Sequence, residues 1–330
     1  MTVVVIVALG AVTPVGLSAA QTALVVRATV RPVHELPFDD ALGESIGGCF
    51  VPSISHDIVG DERLVALAAP ALREVMAQPP VEAKLPLVLA VGRAGAAMPR
   101  ELLETDGARG CDASAVTVLR AGHAGFGYAL AEAARRIEDG ADEVLVGAVD
   151  SYCDPFILRA LDKEFAILSR RSPQGFVPSE AAVFARVTKK GRLAASLATV
   201  IARVDVEPTA ASGEPNVAVA MTRLVASFGE HLREPARWLV TDVNGEPHRS
   251  RELTLVETRS DHVIARDATS VGIGVSLGDV GAASLGVATV LVAGLSAMGV
   301  APSMPALLLG AADSGERAAI LVGSGRPEQA

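Results

Sequence analysis

The sequence is poor in aromatic residues and in cysteine, and each shortage narrows the possibilities. Aromatic residues make up 3% of the 330-residue chain while 50% of its residues are hydrophobic, so its core must be built from alanine, valine and leucine. Small apolar residues suit strands that helices cover on both faces. The three cysteines, Cys49, Cys111 and Cys153, form no CxxC pair and no metal-ligand spacing. We therefore expect a cytoplasmic protein with no metal site and no cofactor.

Positive charge is also scarce, because the formal net charge is −9. Binding to nucleic acid needs a basic face, so nucleic acid is not expected as a partner. Two long stretches, 2–26 and 280–312, lack charge. A secretory signal has basic residues before its apolar run, and none precedes the first stretch. Glycines and prolines divide the second stretch into shorter elements. The sequence therefore predicts no membrane span.

Strand-like runs alternate with helix-like runs along the chain. The predicted strands are 2–8, 85–91, 115–119, 143–149, 181–187, 198–206, 237–243, 269–275, 305–309 and 318–322. The predicted helices are 16–26, 124–139, 216–232 and 282–299, with a helical start at 250–260. This alternation predicts sheets with helices on both faces. The order of strands and helices starts again near residue 195, which predicts an N-terminal half, 1–195, and a C-terminal half, 196–330. Region 28–84 is irregular and is assigned no role.

Four short segments resemble motifs of a known family, and they follow one another in the family's order. They are 10–16 (GAVTPVG), 147–151 (GAVDS), 176–182 (FVPSEAA) and 306–315 (ALLLGAADSG). The chain resembles the β-ketoacyl synthases, which are condensing enzymes of the thiolase fold. The resemblance implies an α/β, thiolase-like fold in which duplicated βαβαβαββ halves form a five-layer α-β-α-β-α sandwich. It also implies a dimer that forms through the edge strand at 115–119.

The three segments that would hold the family's catalytic residues lack them. They are 120–125 (RAGHAG), 241–246 (TDVNGE) and 278–283 (GDVGAA). The resemblance places His123 at the position of the nucleophilic Cys, and Asn244 and Asp279 at the positions of the two His. Claisen condensation of thioesters needs a thiol nucleophile and imidazoles, so we expect no condensing activity.

Each of the three residues also has a plain structural interpretation. His123 fits a side chain that fills the space of the missing Cys and forms hydrogen bonds. Asn244 precedes a glycine, as in many tight turns, although its amide could also donate to a carbonyl oxygen. Asp279 fits an N-cap for the following helix, and its negative charge opposes a developing oxyanion. The family's Lys, five residues before the second His, is replaced by Gly274.

Three functions remain open on the sequence. The first is a partner or chain-length-factor-like subunit without condensing activity, bound to an active ketosynthase or an acyl carrier protein as a homo- or heterodimer. The second is an acyltransferase or thioester hydrolase in which His123 is the base and Asp279 orients it. The third is a module that binds an acyl or pantetheine group without turnover.

Overall fold

The computed structural model describes residues 3–28, 32–77, 83–92, 97–191, 196–207 and 216–325. The strands are β1 (Val4–Val12), β2 (His34–Asp39), β3 (Ser45–Gly48), β4 (Leu85–Val91), β5 (Cys111–Leu119), β6 (Glu143–Ser151), β7 (Glu180–Lys189), β8 (Ala198–Val206), β9 (Ala236–Thr241), β10 (Ile264–Gly272), β11 (Ala306–Ala311) and β12 (Glu316–Ser324). The helices are α1 (Ala19–Arg27), α2 (Gly60–Ala77), α3 (Met98–Leu103), α4 (Gly125–Glu138), α5 (Pro155–Lys163), α6 (Val219–Ala226), α7 (Pro247–Arg259), α8 (Ile273–Leu277) and α9 (Ser284–Ala297).

Ten strands form one mixed sheet in which the same strand order occurs twice. In the first half the order is β5-β4-β6-β7-β1, and in the second half it is β10-β9-β11-β12-β8. Numbered within its own half, each set therefore runs 3-2-4-5-1. In both halves the second strand is parallel to its two neighbours, and the fifth is antiparallel to the strands beside it. This repetition agrees with the duplication that the sequence predicts.

The two halves are hydrogen-bonded to each other through their first strands. β1 and β8 pair in antiparallel fashion, with Val4, Val5 and Ile6 opposite residues of β8. The boundary predicted at residue 195 lies just outside the described residues, and it stays a prediction. Because a ladder of backbone hydrogen bonds crosses from one half to the other, the halves share one sheet as well as one core.

Three of the hydrophobic clusters pack five layers against one another. One lies between α2 and the first five-stranded set and includes Leu67 and Phe184. The central cluster surrounds α4 and α9 and takes residues from both sets of strands, such as Phe126. The third, which includes Leu224 and Val256, lies between the second set and helices α6 and α7. The layers therefore follow the α-β-α-β-α order that the resemblance implies.

Local sequence explains where several helices begin and end. Asp154 caps α5, since its carboxylate accepts the N–H groups of Phe156 and Ile157, and Pro155 occupies the first helical position. Gly140, with a φ of 107°, follows the end of α4. The uncharged stretch 280–312 contains the buried helix α9 and the strand β11. Among the described residues, every helix is too short or too polar to span a bilayer.

The structure corrects two sequence-based predictions of secondary structure and describes a region that received none. The strand predicted at 269–275 is instead the end of β10 followed by helix α8, and the helix predicted at 216–232 is only eight residues long in α6. Region 28–84 holds the hairpin β2–β3 and α2, which continues through Pro70. Proline disfavours helix interiors, so its local signal concealed a helix that burial against the sheet stabilises. Residue 2 of the first predicted strand lies outside the described residues.

Candidate functional site

Two matching turns begin the two central helices. A 3-10 turn at Gly122–Ala124 leads into α4, and another at Gly281–Ala283 leads into α9. Each starts with a glycine at positive φ, 44° at Gly122 and 52° at Gly281. Glycine is favoured there because other residues strain in this region, and a Cβ on Gly281 would also lie 2.0 Å from a carboxylate oxygen of Asp150. His123 lies on the first turn, and Asp279 lies two residues before the second.

The Asp279 carboxylate is the centre of the site. Its two oxygens each lie 2.9 Å from His123 Nε2. It also accepts hydrogen bonds from the Asn244 amide at 2.6 Å, the Tyr152 hydroxyl at 3.2 Å and the backbone N–H of Gly281 at 2.7 Å. The three residues that the sequence selected are therefore brought together, and every group around the carboxylate is able to donate.

Asn244 reaches this centre from the end of β9. Its side-chain oxygen accepts the backbone N–H of Glu246, which closes the tight turn that Gly245 completes with a φ of 116°. Its amide nitrogen donates to Glu246 at 2.8 Å and to Asp279 at 2.6 Å. Asn244 is therefore a turn residue, as one interpretation of the sequence has it, and its amide donates to carboxylates of the chain. Its donation to a carbonyl oxygen of a substrate stays a prediction.

Arg249 is a site residue that the sequence did not indicate. It lies in the first turn of α7, its side chain is 2% exposed, and its Nη2 is 3.2 Å from His123 Nδ1. Nη1 donates to Asp242 at 3.0 Å and to the carbonyl of Ala311, and Nη2 also donates to Asp313 at 2.8 Å. A charged residue near a helix start is common on protein surfaces, so no local pattern marks this one as buried.

Tyr152 is the second residue that sequence reasoning missed. Its hydroxyl reaches Asp279, while its ring packs 5.3 Å from the ring of Phe176, in the cluster beneath the hairpin β2–β3. It follows β6 directly, next to the segment at 147–151 that carries part of the family likeness. The sequence signal that could have identified Tyr152 is its place directly after a strand that leads into the site.

Opposing effects set the protonation of the central pair. Burial raises the pKa of the Asp279 carboxyl, but contacts with His123, Arg249 and Asn244 outweigh burial and hold that pKa below its usual range. Burial and the Arg249 guanidinium lower the pKa of His123, whereas Asp279 and Asp242 raise it. The resulting pKa lies above the usual value for histidine. Asp279 is therefore an anion, and it favours the protonated form of His123.

Two glycines beside the site, Gly274 and Gly122, have little space for a side chain. A Cβ on Gly274 would lie 2.5 Å from the Cβ of Asn244, so a lysine side chain at this position requires Asn244 to move. A Cβ on Gly122 would lie 2.9 Å from the Cβ of Ala312. Next to Arg249 there is a cavity of about 20 Å³, which has room for about one water molecule.

The three thiols are buried. Burial raises the pKa of Cys153 to about 12 and that of Cys111 to about 11. A thiolate is the form that attacks a thioester, so neither residue is poised to act as a nucleophile. Among the described residues, no group of three or more His, Cys, Asp or Glu side chains has the geometry to hold a metal ion.

No family model matches the chain, and no curated protein matches its sequence. Among solved structures, the ishigamide ketosynthase/chain length factor has a TM-score of 0.73 at 18% identity, and the match covers 97% of this chain and 99% of that chain. A type II PKS acyl-carrier protein in complex with its ketosynthase bound to the hexaketide gives 0.78 at 16% identity, covering 97% and 99%. The ketosynthase from module 6 of the bacillaene synthase of Bacillus subtilis 168 gives 0.76 at 13% identity, covering 98% and 72%.

These identities are low, so the likeness concerns the fold. It extends over nearly the whole chain and includes proteins that act in polyketide synthesis. With its repeated strand order, its two central helices and these neighbours, the chain has the thiolase-like fold of the β-ketoacyl synthases.

Proposed function

We propose that this protein is a ketosynthase-like subunit without condensing activity, which acts beside an active synthase in an acyl-carrier pathway. The observation that supports this most is the position of the Asp279 carboxylate, which takes the donors of His123, Asn244 and Tyr152. Condensation requires a nucleophile and donors that stabilise an oxyanion in the transition state. Here the corresponding positions hold no thiol, and their donors already bind an anion of the chain itself.

Two structural neighbours support the choice of partner. One solved neighbour is a ketosynthase/chain length factor, and another is a ketosynthase in complex with its acyl-carrier protein. We propose that this chain pairs with a ketosynthase that retains its catalytic residues, as a chain length factor does, and that the pair receives acyl groups from a carrier protein. Its three buried cysteines fit a reducing compartment such as the cytoplasm.

One observation favours an enzyme instead. His123 Nε2 and the Asp279 carboxylate are 2.9 Å apart, which is the separation of a base and its orienting group. In such a dyad, however, the second ring nitrogen has to face the substrate. Here His123 Nδ1 faces Arg249 at 3.2 Å, and the guanidinium occupies the place of a substrate proton. The hydrolase or acyltransferase is therefore the second candidate.

Turnover assays distinguish these functions. The purified protein is incubated with acyl and malonyl carrier-protein thioesters, and carbon dioxide release, acyl transfer and hydrolysis are measured for the wild type, for His123→Ala and for His34→Ala, a control on the exposed strand β2. We expect no turnover in any of the three, and a stable complex with a co-expressed synthase that has an intact Cys.

Other outcomes would identify the alternatives. Turnover that is present in the wild type and in His34→Ala but lost in folded His123→Ala supports the enzyme. Saturable binding of an acyl carrier protein, with neither turnover nor a complex with the synthase, supports the binding module.

A further inference from the structure

All five N–H bonds of Arg249 have acceptors in the structure. Nε donates to Glu246 at 3.1 Å, and Nη1 donates to Asp242 and to the Ala311 carbonyl. Nη2 donates to Asp313, and its second N–H points at His123 Nδ1. A guanidinium has no lone pair and stays protonated, so it is a donor in every contact that it makes. In this arrangement His123 Nδ1 must supply a lone pair.

The other ring nitrogen has the opposite requirement. His123 Nε2 lies 2.9 Å from both oxygens of Asp279, which is buried and ionised and therefore accepts. The neutral ring consequently carries its proton on Nε2. It donates to Asp279, in the loop before α9, and accepts from Arg249, on α7. His123 itself precedes α4, so this one ring joins the N-terminal half of the chain to two elements of the C-terminal half.

A second proton has only Nδ1 available to it. Protonation there places an N–H against an N–H of Arg249, and two cations 3.2 Å apart, while the bond to Asp279 remains and gains an opposite charge. We propose that His123 is a proton-operated link between the two halves. In its neutral form it accepts one N–H of Arg249, in the first turn of α7, and in its protonated form it loses that bond and keeps the bond to Asp279.

The groups around His123 determine how Arg249 responds to protonation of the ring. The charged groups that face the ring are Asp279, Arg249, Asp242 and Asp313, while Asn244 and Tyr152 contact it through Asp279 and Glu246 through Arg249. Asp313 is 70% exposed and also contacts His248, which is 56% exposed. Protonation leaves Arg249 its bonds to Glu246, Asp242, Ala311 and Asp313, so Nη2 is the part that is displaced. Because Asp313 is exposed, Nη2 can shift with it toward solvent, which loosens the start of α7 and the segment 311–313.

This link does not depend on the proposed function, because it concerns the exposure of α7 and not turnover. Hydrogen exchange detected by mass spectrometry tests it in peptides that cover 246–250 and 311–314, between pH 5.5 and 9.5, after correction for the intrinsic exchange rate. In the wild type we expect protection of these peptides to fall about tenfold as the pH is lowered through the transition of His123, as for loss of one hydrogen bond to a charged group. Peptides from β6 serve as an internal reference.

Two variants that do not titrate separate the two contacts. Asparagine in His123→Asn places its oxygen near the position of Nδ1, so it keeps the acceptor for Arg249 and gives high protection at every pH. Glutamine in His123→Gln reaches toward Asp279 but leaves Arg249 without this acceptor, so it gives low protection at every pH. Wild-type protection that does not change with pH, or a pH dependence that persists in both variants, overturns the proposal.

The wild-type imidazole gives an answer even if a variant does not fold. Long-range ¹H–¹⁵N spectra of histidine report which ring nitrogen carries the proton. We expect the proton of His123 on Nε2 at high pH and a second proton on Nδ1 as the pH falls. A neutral ring with its proton on Nδ1 contradicts the proposed link.

Discussion

Asp279 holds a full negative charge inside the protein, where an ion is costly unless opposite charges and hydrogen bonds surround it. His123, Asn244, Tyr152 and a backbone N–H supply those bonds, and Arg249 lies close by. These donors therefore stabilise a side chain of the protein itself. At the scale of single residues, the site is a closed set of ion pairs and hydrogen bonds.

Removing the charge of Asp279 is expected to destabilise the protein strongly. In Asp279→Asn, the buried Arg249 and His123 lose their neighbouring anion, and breaking a buried ion pair costs about 3 kcal/mol or more. Urea unfolding measures the difference in the free energy of unfolding. The matched control is Asp106→Asn, whose partner Arg109 is 82% exposed, and it should change stability very little. A similar loss in both variants would argue against the buried network.

The same network predicts how stability depends on pH. The folded pKa of His123 is above its usual value, so its contribution is complete below about pH 6.5 and is lost as the pH rises through the folded pKa. The folded pKa of Asp279 is below its usual value, so its contribution is present above about pH 4 and is lost as the pH falls through the folded pKa.

We therefore expect the wild type to be most stable relative to His123→Asn between about pH 4 and 6.5, and to lose this advantage toward pH 9. Urea unfolding at a series of pH values measures it. Local protection of α7 should move in the opposite direction over the same range, because protonation strengthens the contact with Asp279 and weakens the contact with Arg249. If the stability difference between the wild type and His123→Asn does not change with pH, His123 has the same pKa in the folded and unfolded states.

At the scale of elements, the two outer strands of the sheet differ. β5 ends the sheet in the N-terminal half, and β10, its counterpart, ends it in the C-terminal half. β10 carries Arg266 and Asp267 at exposed positions, whereas the charged residue of β5 is the half-buried Asp112; the register of both strands shifts in this stretch. Charges and bulges are typical of edges that avoid pairing. In β5, residues 115–119 are uncharged and Val118 is 40% exposed, so β5 is the edge expected to pair with a partner.

A lysine at Val118 is expected to block that pairing. Val118→Lys should weaken the self-association of the chain, or its complex with a co-expressed synthase, by at least about tenfold in Kd. Val206→Lys is the matched control, because Val206 is 54% exposed but lies on β8 inside the sheet order. Sedimentation velocity measures the assembly state, and circular dichroism confirms that both variants fold. Equal assembly of the two variants would place the partner elsewhere.

At the scale of the whole molecule, the halves share a core and a ladder of hydrogen bonds. The central cluster around α4 and α9 takes residues from both sets of strands, and β1 pairs with β8. Neither half buries this cluster without the other. The chain is therefore expected to unfold as one unit, although its strand order occurs twice.

Separate expression of 1–195 and 196–330 tests this expectation. Each fragment alone should lack a cooperative thermal transition, because it exposes its side of the central cluster. The two fragments expressed together should recover a single transition, measured by circular dichroism. A cooperative transition in either isolated fragment would mean that the halves are independent domains.

The α/β class of the fold could be predicted from the sequence, since strand-like and helix-like runs alternate and small apolar residues are in excess. The thiolase-like arrangement came from the resemblance of its ordered motifs. Its ordered motifs also selected His123, Asn244 and Asp279, which the structure brings together. Local patterns failed at α2, where Pro70 opposes a helix that burial stabilises, and at α8, where an apolar run fits either a strand or a helix.

The contacts of the site residues could not be predicted from the sequence. Arg249 meets His123 across 126 positions of sequence, and Tyr152 meets Asp279 across 127. Neither helical nor strand periodicity relates residues so far apart. Whether a donor is free for a substrate or is used by the protein depends on the group that faces it, and at this site the facing groups come from elements that only folding brings together.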